Sequence, residues 1–253
     1  MATKSTVIDL VAEMSKPEYL HPELREFVER VPFGPKGTFW LQHPLCVGPL
    51  ANGLGHCAAL NRMYEERKMA LAEARSERDW LSFVSLHEGP YRLNAFAAVA
   101  AELSDTEYWQ LLGGVIDDAE VLYRGRDVLA HLLRANRPQR QAMMDEASQK
   151  EFAALPDELI IYRGYDDQAG AEGWAWTLSL EKAQWFAKRW RFLPGRGEPM
   201  VVSGVVMKSD VIAYLNGRQE KTIIVNPVVV KVEAKTAVGG NGVQGVAAKG
   251  GVK

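Results

Sequence analysis

Residues 159–190 read LIIYRGYDDQAGAEGWAWTLSLEKAQWFAKRW, and this stretch decides how the rest of the chain is read. An apolar run, Leu159-Ile160-Ile161-Tyr162, ends in Arg163-Gly164. A polar, Gly-containing turn follows, then a second short apolar segment, Trp174-Ala175-Trp176-Thr177-Leu178. Ala183, Phe186 and Ala187 then recur at helical spacing. The pattern predicts strand, loop, strand and a helix over residues 180–191, with Ser179 as its N-cap. It delivers a guanidinium and a hydroxyl at the ends of two strands, where fixed backbone holds side chains at a defined separation. A planar guanidinium there suits a phosphate or carboxylate, to which it donates two parallel charge-assisted hydrogen bonds.

On both sides of this stretch the character of the sequence changes. Before Pro156 the pattern is mainly helical. Residues 57–80 interleave Leu60, Met63, Tyr64, Met69 and Leu71 with charges three and four apart, predicting a long, partly solvated helix. Residues 91–103 are apolar and Ala-rich, as a buried helix would be. Ser104-Asp105-Thr106-Glu107 has the capping-box arrangement, and Ser148-Gln149-Lys150-Glu151 repeats it. Further helices are expected near residues 127–134 and 138–147. Up to about Asn61 the chain reads as irregular with short helices, one beginning near Val7 and one opened by Pro22, and residues 32–37 form a turn-rich connector. After Pro156, β-type runs follow at residues 159–162, 174–178, 200–207, 222–225 and 228–233, with a helical turn expected through 211–215. The expected organisation is a helical region 1–156, a small mixed β-sheet module 157–235 and a flexible Gly/Ala-rich tail 236–253. The fold class is α+β.

Composition narrows the function classes. The chain has 253 residues and a net charge of −2, so no global basic field would attract nucleic acid. Its two cysteines fit a reduced compartment better than a disulfide scaffold. No apolar run approaches the roughly 18 residues of a membrane span, and no secretory leader is evident, so a cytoplasmic protein is expected. His43, Cys46, His56 and Cys57 include metal-ligand types, but adjacent ligands such as His56 and Cys57 rarely point at one ion, so packing is the expected role and no metal is assigned. Lys182, Lys188, Arg189, Arg191 and Arg196 gather around the end of the second-half helix, where cations meet the helix dipole favourably.

Tyr162-Arg163-Gly164, Trp176-Thr177-Leu178-Ser179, Ala183 and Phe186-Ala187 together resemble the core of the ADP-ribosyltransferases of the Arg–Ser/Thr–Glu class. The resemblance covers about the last third of the chain. It implies an NAD-dependent transferase of ADP-ribose, with NAD as co-substrate and no metal. Arg163, flanked by Tyr162 and Gly164, would hold the NAD phosphates; Thr177 would orient the nicotinamide ribose beside Trp176. The family's Glu-x-Glu precedes a late apolar strand, which here is Thr222-Ile223-Ile224-Val225. Its first Glu falls on Glu220 and its second on Thr222, so Glu220 is the candidate catalytic carboxylate. That charge is needed because the nicotinamide–ribose bond breaks through an oxocarbenium-like state. Each of these residues also has an ordinary reading: Arg163 paired with Asp166 or Asp167, Thr177 as a β-favourable residue, Trp174 and Trp176 as core, Glu220 as a solvated charge. The whole chain also resembles a group of mostly phage-encoded proteins with a helical N-terminal half, which implies a macromolecular target, in the first place a host protein. The alternative is a catalytically inactive module acting as a binding protein or as an inhibitor of a host defence complex.

Overall fold

A computed structural model describes residues 18–30, 39–50, 57–119, 125–166, 170, 172–189 and 196–238. The chain divides into two compact units, residues 1–99 and 100–253. Pro156 marks the change from helices to strands, but the compact units part earlier, so the helices after residue 100 belong with the C-terminal sheet.

In the first unit Pro22 opens a 3-10 turn, Pro22–Phe27, capped by the His21 ring accepting from the Glu23 amide. A three-stranded antiparallel meander follows: β1 (Val28–Arg30), β2 (Phe39–His43) and β3 (Cys46–Leu50). This sheet replaces the irregular segment expected there. β3 carries Pro49 and is an edge strand, the place in a sheet where proline is tolerated. Helix α1 (Ala58–Glu77) is the long helix expected, followed by α2 (Trp80–Ser85) and α3 (Arg92–Val99). Leu20, Leu24, Leu41, Cys46, Leu50 and Tyr64 close the core between meander and α1. The expected helix at Val7, the connector 32–37 and His56 lie outside the described residues.

The second unit begins with α4 (Asp105–Asp118), whose capping box is complete: the Glu107 amide donates to Ser104 Oγ, and the Ser104 amide to the Glu107 carboxylate. Helix α5 (Arg126–Leu133), a 3-10 turn (Arg140–Met143) and α6 (Glu146–Ala153) follow. The helix expected over 138–147 is thus broken. Gln139 is left-handed, and Asp145, not Ser148, caps the next helix, taking the Ser148 amide at 2.7 Å. Ser148 is buried within α6 and does not cap it.

The sheet comprises β4 (Glu158–Tyr165), β5 (Ala175–Thr177), β6 (Met200–Met207), β7 (Val211–Leu215), β8 (Thr222–Val225) and β9 (Lys231–Ala237), in the order β7-β8-β5-β4-β6-β9. Every described pairing is antiparallel, so the sheet is not mixed. Residues 211–215 form a strand where a helical turn was expected; the turn is confined to Lys208–Asp210, and VIAYL pairs with β8. Strand β9 carries Thr236, which the sequence assigned to the tail, and residues 239–253 lie outside the described ones. The β6–β9 ladder shifts register between Ser203 and Gly204, which pair with Ala234 and Val232 and leave Glu233 as the extra residue on β9.

The pleat sorts the sheet into two faces. Leu159, Ile161, Trp176, Val202, Tyr214 and Ile223 form one, with Met144, Phe152 and Leu155 packed against it. Helix α7 (Leu180–Lys188) lies on the other, Ala183 and Ala187 against Val201 and Tyr162. Helix and strand approach so closely that a Cβ on Gly164 would sit 1.8 Å from the Ala183 carbonyl oxygen and 2.7 Å from the Ala187 nitrogen. No helix among the described residues is long and apolar enough to cross a membrane.

Both atoms facing Gly164 are backbone, so Gly164→Ala is expected to destabilise the protein by at least about 2 kcal/mol in chemical denaturation. A second prediction concerns the first unit. His43 lies between Phe27 and Tyr64, with ring centroids at 4.5 and 5.1 Å, and its Nδ1 accepts the Leu45 amide. Burial holds His43 and His87 below the ordinary value of 6.5. The unfolded chain therefore takes up protons first as pH falls below 6.5, and stability present above that pH declines on the acid side. Thermal unfolding at pH 8 and pH 5.5 should show this decline (roughly the window set by the histidine range), and the His43→Gln/His87→Gln double variant should flatten it.

Candidate functional site

Three adjacent central strands carry the sequence-predicted site. β4 supplies Tyr162, Arg163 and Gly164, β5 supplies Trp176 and Thr177, and the loop 216–221 entering β8 supplies Glu220. Tyr162, Thr177 and Thr222 stand in one row across the three strands. Directly opposed residues share a face, so Thr177 points to the side of Tyr162 and α7. Arg163 is opposed by Val202, and Trp176 by Ile223, on the other side. Arg163 and Thr177 therefore start from opposite faces of the sheet.

Arg163 turns its guanidinium onto its own loop. Nε donates to the Gly170 carbonyl and Nη1 to the Ala175 carbonyl. The guanidinium passes so near Gly173 that a Cβ there would lie 2.1 Å from its central carbon. Of its two expected carboxylate partners, Asp166 meets Arg196 at 3.2 Å and Asp167 lies outside the described residues. Trp176 is buried in the core, its indole N–H donating to the Gly173 carbonyl at 2.9 Å. Trp174 is buried as well, with Arg134 over its ring at 5.4 Å. Arg163, Gly173 and Trp176 thus organise the β4–β5 connection.

Thr177 is only 2% exposed, and its hydroxyl has two backbone partners. It donates to the Glu220 carbonyl at 2.6 Å and accepts the Ser179 amide at 3.0 Å. Ser179 in turn caps α7, its Oγ accepting from the Lys182 amide at 3.2 Å. One hydroxyl therefore ties the end of β5, the start of α7 and the loop 216–221 together. It holds Glu220 by its backbone and leaves the carboxylate to other partners.

The loop is tightly specified. Gln219 and Lys221, on either side of Glu220, both have left-handed φ, 56° and 50°, which non-glycine residues adopt at a cost. The Gln219 amide donates to the Asn216 carbonyl and the Lys221 amide to Asn216 Oδ1, both at 3.0 Å; the Leu178 amide donates to the Lys221 carbonyl. The Glu220 carboxylate lies 3.5 Å from an Arg218 nitrogen.

Sequence reasoning missed Asp117, near the end of α4. A Cβ on Gly217 would lie 2.4 Å from Asp117 Oδ2, and Arg218 donates to the Asp117 carbonyl at 3.3 Å. Burial, and then the charge of Glu220, hold the Asp117 carboxyl above its usual range. No local signal marks it, since Asp117 and Glu220 meet only through tertiary contact. The expected basic cluster divides: Arg189 lies over Trp185 and Phe186, Arg196 pairs with Asp166, and Arg191 is outside the described residues. His43 and Cys46 lie in the first unit's core contacts, and burial raises the Cys46 thiol to about 11. Among the described residues no three His, Cys, Asp or Glu side chains are grouped to hold a metal ion.

No protein-family model, curated protein or solved structure matches this chain.

Thr177→Val keeps the shape and removes both hydrogen bonds, leaving a half-buried carbonyl and amide to find other partners. A loss of about 1–3 kcal/mol is expected in denaturant unfolding, with faster amide exchange at Ser179 as its local signature.

Proposed function

We propose that the C-terminal unit is an ADP-ribosyltransferase-like module that serves as a binding scaffold. The protein then acts by engaging a macromolecular target, in the first place a host protein, without transferring ADP-ribose. The observation that carries this reading is the position of Arg163. Its guanidinium, which the resemblance assigns to the NAD phosphates, donates to the carbonyls of Gly170 and Ala175. To turn the whole guanidinium toward a pyrophosphate would cost these two hydrogen bonds from a charged donor, each contributing about 1.5–3 kcal/mol. NAD would have to offset that before gaining affinity. Two further features support the same reading. The Thr177 hydroxyl is engaged by backbone on both sides, and neutral Thr222 stands where the resemblance calls for a second Glu.

The transferase reading has one observation in its favour. Glu220 is held between two left-handed residues beside a carboxyl that burial raises, and such outliers gather at functional sites. Under that reading Glu220 would stabilise the oxocarbenium-like centre and NAD would be the co-substrate.

Calorimetric titration of the full chain with NAD, followed by assay of nicotinamide release, separates the two. The expected result is no binding up to millimolar NAD and no release above the protein-free rate. Binding abolished by Arg163→Ala, together with release abolished by Glu220→Gln, would establish the transferase and overturn the scaffold reading.

A further inference from the structure

Helix α7 is anchored from one side. Ala183 and Ala187 are buried against Tyr162 and Val201, Gly164 lets the helix close on β4, and the Ser179 hydroxyl caps its first turn. The helical period places Trp185 about 180° from that seam. Trp185 is accordingly 52% exposed, a large aromatic ring turned to solvent on a backbone that is fixed from beneath.

Cations bracket this ring. Residues three and four apart on a helix are neighbours, so Lys182 stands one turn before Trp185, and Lys188 and Arg189 one turn after it. Arg189 lies over the Trp185 ring at 5.6 Å and over Phe186 at 5.5 Å, and the two rings meet edge-on at 5.1 Å. These contacts restrain a long side chain whose ordering would otherwise oppose binding. Among the described residues neither Lys182 nor Lys188 has a carboxylate partner. Glu181 is the only anion of α7, and the whole chain carries a net charge of −2, so the positive field belongs to this face alone. An exposed Trp set within a rim of charge has the anatomy of an interface centre.

We infer that the outer face of α7 docks an acidic segment of the macromolecular partner, an apolar side chain lying on Trp185 between two carboxylates, one at Lys182 and one at Lys188 and Arg189. The inference rests on the reading of the chain as a binding protein and adds the surface and the chemistry of its partner. Lys182 and Arg189 are seven residues apart, roughly 10 Å along the helix. An extended peptide rises about 3.3 Å per residue, so its carboxylates belong about three residues apart with the apolar residue between them. Carboxylates fit this face better than a nucleic-acid backbone does. Glu181 would repel a chain charged at every unit, whereas a peptide can set an uncharged residue beside it.

The test is an NMR titration of the nitrogen-15-labelled full chain with three probes: a capped Gly-Asp-Leu-Gly-Asp-Gly peptide, its Asn counterpart and a twelve-nucleotide oligothymidylate. The Trp185 indole N–H signal, identified by its absence in Trp185→Phe, should move and saturate with the Asp peptide at millimolar concentration and stay in place with the Asn peptide. The Lys182→Glu/Lys188→Glu double variant should weaken the Asp peptide about tenfold, while its other indole signals keep their positions and so report an intact fold. The comparison of Asp and Asn peptides on the unaltered chain decides the matter even where that variant does not fold. No movement of the Trp185 signal with millimolar Asp peptide, an equal response to the Asn peptide, or unchanged affinity in a folded double variant would overturn the inference. Tighter binding of the oligothymidylate would overturn it in favour of nucleic acid, and a Trp185 signal that moves with protein concentration alone would assign the face to a second copy. NAD is absent from every sample, so the scaffold reading stands or falls by its own titration.

Discussion

The hydroxyl of Thr177 is the contact on which the C-terminal unit turns. It sits where three pieces of chain must agree, the end of β5, the first turn of α7 and the loop leading into β8. Thr177 itself is buried, and one side chain that pairs both a carbonyl and an amide has leverage beyond an average hydrogen bond. The consequences spread outward. With its N-terminus fixed, α7 lies across β4 at a separation that only glycine at position 164 permits. That contact covers one face of the sheet and leaves the other to the side chains around α6. The same bond sets the backbone of Glu220, and through it the distance between Arg218, Glu220 and Asp117.

A guanidinium and a hydroxyl that would suit a dinucleotide suit backbone carbonyls equally well, because both uses need directed donors at strand ends. Here the backbone supplies the partners. Arg163 acts as an internal strut of the β4–β5 connection, and Gly173 is the residue that lets the guanidinium lie flat on the chain. Residue type and spacing are the same for a strut and for a ligand-binding arm; only the direction of the side chain separates them, and direction is a tertiary property.

That distinction explains what the sequence made legible. The strand–loop–strand–helix unit around Arg163, the Ser179 cap, the Ser104/Glu107 box and the strands 200–207 and 222–225 follow from local rules, and all are present. Where two local signals competed, tertiary packing decided. Ser148 lost the capping role to Asp145 three residues earlier, and Val211–Leu215 joined β8 because pairing and burial outweigh a plausible first turn at Ser209-Asp210. The N-terminal meander was not read from the sequence, and a proline such as Pro49 weakens a strand signal unless the strand is known to be an edge. Asp117 had no local signal at all. Its distinction comes from a loop far off in sequence, 101 residues separating it from Arg218.

The extra residue Glu233 in β9 has a bearing on how this border of the sheet would meet another chain. An outermost strand of seven residues with regular backbone would offer the open hydrogen-bonding groups of every second residue to a neighbouring chain. The slip at Ser203/Gly204 interrupts the alternation along that border, so Lys231 and Lys235 emerge on opposite sides of the sheet with Glu233 between them. An incoming strand would meet charge on either side and a broken register in the middle. The extra residue in β9 thus breaks the regular spacing that a further strand would need along this border of the sheet.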